Sequence, residues 1–139
     1  MIKCTRKIHF DSAHRIPNHE SKCKNLHGHR YVVEATFSCK ELDDKGRVID
    51  FGVIKDILGA WVDDNLDHNT ILSVEDKVLG DLIESQTKQK VFYLNYHPTA
   101  ENIARFLFEE VCPALFKDYD IKCVEIKVNE TPNCHATIS

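Results

Sequence analysis

Two stretches early in the chain alternate apolar and polar positions with the period of a strand. In residues 2–14, Ile8, Phe10 and His14 share one parity, so His14 lies on the side that turns inward. From His27 to about Leu42 the pattern returns. His27, His29, Tyr31, Val33, Ala35, Phe37 and Cys39 fall on one face, and Arg30, Glu34, Thr36, Ser38 and Lys40 on the other. Pro17, Asn18 and the polar run to Asn25 predict a loop between them, with Cys23 inside it. Asp43-Asp44-Lys45-Gly46 is turn chemistry that ends the second strand.

The period then lengthens. Asp50 is placed to cap a helix in which Phe51, Ile54, Ile57, Leu58 and Trp61 recur at helical spacing to about Asp64. Gly52 and Gly59 weaken it, by up to ~1 kcal/mol each relative to alanine. Val74 to Ile83 reads as a short helix, Val91-Phe92-Tyr93-Leu94 as a short strand or extended linker, and residues 95–98 as a turn. Thr99 caps a second firm helix, with Glu101 in its first turn and Ile103, Phe106, Leu107 and Val111 as the buried stripe. Pro113 is expected to end or bend it. Residues 121–130 return to strand, with Val124, Ile126, Val128 and Glu130 on one parity, and Ala136 to Ile138 suggests a short last strand. The order β-β-α-α-β-β predicts an α+β fold: an antiparallel sheet with two helices on one face, and sheet edges that must be covered or paired with another subunit.

Composition narrows this picture. A chain of 139 residues, 42% hydrophobic, without repeats or linkers, is expected to form a single domain, 1–139. A net charge of −4 argues against nucleic acid as the main partner. The charge is uneven: residues 1–30 carry seven Lys or Arg against two acids. Such an excess suits an anionic small substrate, and equally a solvated strand face. No stretch is apolar enough to span a membrane, and the N-terminus lacks a signal-peptide pattern. Six cysteines without a Cys-x-x-Cys pair read as reduced thiols in a cytoplasmic protein.

The candidate chemistry gathers around Cys23-Lys24-Asn25-Leu26-His27-Gly28-His29. Two imidazoles two residues apart on a strand point the same way, and Gly28 between them leaves room for close approach. With a third donor, His-x-His builds an open zinc site, although His-x-His alone is weak evidence. His14 by itself reads better as a satisfied core histidine than as a ligand. Asp67-His68 beyond the first helix is ordinary loop polarity, or a carboxylate that fixes an imidazole's tautomer. Glu130 ends an apolar face, so it emerges at the rim or binds something.

Taken together, these residues resemble the 6-pyruvoyl-tetrahydropterin synthase family, and its bacterial 6-carboxy-tetrahydropterin synthase branch in particular. The resemblance rests on Phe10-Asp11-Ser12-Ala13-His14-Arg15, Cys23-x-x-x-His27-Gly28-His29, Val48-Ile49-Asp50-Phe51, Leu66-Asp67-His68, Pro98-Thr99-Ala100-Glu101-Asn102 and Glu130-Thr131-Pro132, in that order. It implies the tunnelling fold (T-fold), whose subunits join into a barrel as trimers paired into a homohexamer. It implies Zn2+ held by His14, His27 and His29, Cys23 as catalytic proton acceptor, and Asp67 with His68 as a proton relay from a neighbouring subunit. Glu130 would grip the pterin ring and take part in catalysis, with Thr99 and Glu101 also near the substrate. The implied substrate is a small pterin triphosphate, 7,8-dihydroneopterin triphosphate, converted in 7-deazaguanine (queuosine) biosynthesis to 6-carboxytetrahydropterin, acetaldehyde and triphosphate. The three residues between Cys23 and His27 match the carboxy-forming branch, because the pyruvoyl-forming branch has a longer spacer. The alternatives are the pyruvoyl-forming reaction itself and a non-catalytic zinc or pterin module. The longer region 73–97 and Cys134-His135 depart from the compact bacterial pattern.

Overall fold

The computed structural model describes residues 1–139. Six strands form one mixed sheet in the order β4-β3-β1-β2-β5-β6. Strands β1 (Lys3–His14) and β2 (His27–Ser38) pair antiparallel along their whole length, from Lys3 opposite Ser38 to His14 opposite His27. β5 (Lys122–Thr131) lies antiparallel on β2, with an irregularity at Thr36/Phe37, and β6 (Cys134–Ile138) pairs antiparallel with β5.

These four strands are the antiparallel sheet expected from alternation. The other two are not antiparallel. β3 (Asn69–Ser73) runs parallel to β1 through residues 12–14, and β4 (Val91–Leu94) runs parallel to β3. A parallel pair needs a crossover, and here it is a third helix, α2 (Lys77–Thr87), entered through a 3-10 turn at Val74–Asp76. The α+β class holds, with a mixed sheet and three helices in place of an antiparallel sheet and two. Second, β2 stops at Ser38, short of Leu42. The turn after it is built by Asp43, whose Oδ1 accepts the amides of Lys45 and Arg47 at 2.9 Å, with Gly46 at φ +78°.

Helix α1 spans residues 51–65, its middle turn (Lys55–Gly59) wound wide, and Asp50 Oδ1 accepts the Gly52 amide at 2.7 Å as the N-cap. Helix α3 spans residues 100–115 with a similar wide turn at Leu107–Val111. Pro113 neither ends nor breaks it. Proline clashes with the carbonyl four residues back, and the loosened turn just before it removes that conflict. Ile54, Leu58 and Val62 of α1 and Ile103, Leu107 and Val111 of α3 meet Ile8, Phe10, Val33, Phe37, Ile126 and Val128 of the sheet in a 21-residue core. Full burial of such side chains contributes about 1.5–3 kcal/mol each before chain entropy is counted.

Besides β4 at one end of the sheet, two stretches of edge stay open. β3 covers β1 only at residues 12–14, so residues 3–11 have no strand on that side, and β6 ends the sheet on the other. No helix is long and apolar enough to cross a membrane.

Candidate metal centre and active site

The register of β1 and β2 builds the centre of the site. His14 lies opposite His27 at the end of the ladder, and Ser12 opposite His29. Alternation then turns all three imidazoles to one face. Their ring centroids lie 4.7 Å (His14–His27), 5.1 Å (His14–His29) and 4.8 Å (His27–His29) apart. One ligand atom from each lies within 4.8 Å of the other two, a spacing that can hold a metal ion.

Two of the rings are locked by main-chain oxygens. His14 Nδ1–H donates to the Pro98 carbonyl at 2.7 Å, and His27 Nδ1–H to the Asn25 carbonyl at 2.6 Å. A carbonyl can only accept, so both rings carry their proton on Nδ1 and leave Nε2 with a free lone pair. His14 Nε2 and His29 Nε2 are buried and have no hydrogen-bond partner. Buried polar atoms without partners are costly, and a metal ion would satisfy both. Burial pushes the pKa of His14 down, against the opposing pull of the Pro98 carbonyl and Glu130, and burial does the same to His29. Neutral imidazole is the form a metal needs.

Glu130 reaches the same cluster from β5. Its carboxylate oxygens lie 3.6 Å from His29 Nε2 and 3.9 Å from His14 Nε2, too far for hydrogen bonds and close enough to act electrostatically. Tyr31 stands behind the rings, fully buried, its ring edge-on to His14 and His29 and stacked on Phe10 at 4.8 Å. Its hydroxyl has no partner. Read from alternation, Tyr31 is only a core residue.

Cys23 is not part of the histidine cluster. It sits half-buried in a 3-10 turn, Lys22–Lys24, at the base of the loop from β1 to β2. The Ile16 amide donates to the Cys23 carbonyl at 2.9 Å and closes that loop on itself. Arg15, next to His14, pins the same end of β1 through a paired contact to Asp76, with Nε 2.7 Å from Oδ2. Arg15 is part of the motif run, but nothing local in the sequence pointed to its partner.

Gly28 turns out not to be sterically required within the subunit. A methyl there would meet only the Ser12 carbonyl, at an ordinary 3.5 Å.

Asp67 and His68 lie elsewhere. Asp67 Oδ1 accepts the Asp11 amide at 2.9 Å, and Oδ2 accepts from His68 Nδ1 at 2.8 Å. Burial works against the Asp67 charge, but the Asp11 amide and His68 outweigh it and hold the carboxyl below its usual range. The hydrogen bond from His68 to Asp67 raises the imidazole pKa. His68 adopts φ +58°, and its side chain is 78% exposed, so the ring projects into solvent.

Thr99 Oγ1 accepts the Asn102 amide at 3.1 Å and caps α3, and Glu101 is exposed in its first turn. Just before this cap, Pro98 supplies the carbonyl that orients His14.

A family model for 6-pyruvoyl tetrahydropterin synthase matches residues 3–139. The chain is 53% identical over 138 residues to a 6-carboxy-5,6,7,8-tetrahydropterin synthase from Rickettsia bellii, covering 99% of this chain and 100% of that one. It is 33% identical to the enzyme of the same name from Haemophilus influenzae, covering 95% and 94%. Among solved structures, an uncharacterised protein from Wolinella succinogenes superposes with a TM-score of 0.83 at 20% identity, covering 99% and 97% of the two chains. The 6-pyruvoyl tetrahydropterin synthase of Caenorhabditis elegans superposes at 0.69 with 23% identity, covering 99% and 94%. At these identities the superpositions speak for the fold alone.

Proposed function

This chain belongs to the 6-pyruvoyl tetrahydropterin synthase family, and from that premise we propose that it acts as a 6-carboxy-5,6,7,8-tetrahydropterin synthase. The substrate would be 7,8-dihydroneopterin triphosphate, and the products 6-carboxytetrahydropterin, acetaldehyde and triphosphate, on the route to 7-deazaguanines. The observation that carries this reading is identity along the whole chain to relatives of that name. The converging imidazoles support the chemistry, because the unpartnered Nε2 atoms of His14 and His29 are what an open metal site requires.

His14, His27 and His29 would hold Zn2+. Bound there, zinc would act as a Lewis acid on the oxygens of the substrate side chain, which eases removal of protons from the neighbouring carbons. The residues of the chain do the rest. The Pro98 and Asn25 carbonyls keep His14 and His27 in the tautomer that presents Nε2. Cys23 accepts a proton as thiolate. Asp67 holds His68 by Nδ1–H, which leaves Nε2 free to take or return a proton. Glu130 accepts hydrogen bonds from the amino-pyrimidine edge of the pterin. Glu101 is a second carboxylate within the reading, and Thr99 holds the helix turn that carries it.

The exposed His68 and the open edges of β1 and β6 support assembly. We take the functional form to be a hexamer of two trimers, each trimer closing a barrel, with Asp67 and His68 delivered to the site of a neighbouring subunit.

Product analysis on dihydroneopterin triphosphate tests the reaction. Acetaldehyde in step with 6-carboxytetrahydropterin is the expected result. The diketo product without loss of carbon would assign the pyruvoyl-forming reaction instead. Binding of the pterin without turnover by metal-loaded protein would leave a non-catalytic module.

A further inference from the structure

The two faces of the sheet differ. Ile8 and Phe10 of β1 and Tyr31 and Val33 of β2 are buried in the core on the side that carries the triad. Alternation therefore turns Lys7, His9, Arg30 and Glu34 to the opposite side. There they line an open cavity of about 420 Å³ together with Asn129 and Thr131 of β5, and no helix residue enters its wall. Register sets the spacing. Lys7 lies opposite Glu34 and His9 opposite Val32, which in turn lies opposite Asn129 on the next strand. Cross-strand neighbours stand about 5 Å apart and diagonal ones about 7–8 Å, so one bound group can meet several of these side chains.

The single carboxylate in that wall is already engaged. Glu34 Oε2 accepts from Asn129 Nδ2 at 3.0 Å and stands 3.7 Å from Lys127 Nζ. Arg30 uses one amino group on Asp11, at 3.2 Å, while the exposed side chains of Lys7 and His9 make neither a hydrogen bond nor an ion pair. Thr131 Oγ1 accepts the Asn133 amide at 3.1 Å, which leaves its O–H to donate. The wall thus offers more free donors than free acceptors, and two of its side chains carry a full positive charge.

We propose that Lys7, His9, Arg30 and Thr131 bind a phosphate-type anion on the face of the sheet away from the triad. The guanidinium of Arg30 presents paired N–H groups that match two phosphate oxygens, and Lys7 supplies a second charge. The cavity is many times the roughly 30 Å³ share of one water, which leaves room for linked phosphates as well as a single one.

This site calls on no pterin chemistry, so its failure and that of the proposed reaction are separable. Metal-loaded protein is titrated with inorganic phosphate and with inorganic triphosphate by equilibrium dialysis. Its lysines are then acetylated with and without the anion and mapped by mass spectrometry. The expected result is saturable binding that weakens as salt is added, tighter for triphosphate than for phosphate, with selective protection of Lys7. Lys7→Gln and Arg30→Gln should each weaken that binding about ten-fold while circular dichroism shows the fold intact. His27→Ala, which removes a triad member, should leave the protection of Lys7 in place. The proposal is overturned if Lys7 is acetylated equally fast with the anion present, or if both glutamine variants bind as the native protein does. Loss of binding in His27→Ala overturns it too, because the anion would then sit at the metal centre.

Discussion

The two histidine sites of this molecule are built in opposite ways. At the triad, His14 is 1% exposed, its ring is held by a carbonyl from a distant turn, and its lone pair points at two other imidazoles of the same subunit. At the pair, Asp67 anchors His68 by one nitrogen, while the ring stands 78% exposed with its other nitrogen in solvent. The triad is complete within one chain. The pair is oriented as a catalytic imidazole would be, yet it faces nothing the chain itself provides. The contrast teaches that orientation and completion are separate structural tasks: three imidazoles converge at the triad, whereas at the pair one ring is oriented and left exposed.

The most damaging way to break the contrast is to remove a triad member. His27→Ala should lose bound metal and turnover together, by several kcal/mol of transition-state stabilisation or at least about a thousand-fold, checked by metal analysis beside the product assay. Metal-free protein that still turns over would remove all three histidines from the role proposed for them. Next in size is Cys23→Ala, expected to lose about 10²–10⁴ in kcat while keeping its metal, because the thiol stands outside the cluster. Loss of metal along with activity would make Cys23 a ligand.

The exposed pair is tested by complementation. Cys23→Ala and His68→Ala, each inactive, should recover part of their activity when unfolded together and reassembled, since some mixed interfaces then carry both wild-type groups. If each assembles and the mixture stays dead, thiol and relay belong to one subunit. A gentler probe is Asp67→Asn, which should lower the His68 pKa in an NMR titration and move the acidic limb of the pH–rate profile the same way. The linkage has a definite sign. A raised imidazole pKa contributes stability below about pH 6.5, the ordinary value, and loses it as pH rises through the raised value; the lowered Asp67 must be ionised for it to exist at all. The smallest effect is expected at Thr99→Ala. Loss of the cap should cost about 1 kcal/mol in thermal or denaturant unfolding, with KM little changed. A large rise in KM at unchanged stability would show that the hydroxyl serves the substrate.

What could be read in the sequence follows from what side chains advertise. Alternation in residues 2–14 turned His14 inward, alternation from His27 to about Leu42 put His27 and His29 on one face, and parity put Glu130 at the end of its own; only the family resemblance joined the three histidines into one set. The strand β3, Asn69–Ser73, gave no such signal. It is a short parallel strand, buried from Thr70 to Ser73, so it lacks the apolar-polar rhythm by which half-exposed strands are recognised. The oxygens that lock the triad were equally silent, because the Pro98 and Asn25 carbonyls are backbone, and any residue carries one. The Arg15–Asp76 contact was hidden for a third reason. It joins β1 to the turn before α2, and the route between them became visible only once β3 was in place.

One consequence of the carbonyl locks concerns the order in which the protein matures. Zinc fingers remain unfolded until metal gathers their ligands. In this chain a hydrophobic core of 21 residues packs beside the triad, and backbone oxygens already hold two of the three rings. A chain so braced is expected to fold without the ion and to keep the site ready for one that comes later, which circular dichroism of chelator-treated protein would check. Metal supply would then set how many copies are active, while the number that are folded is decided before any ion arrives.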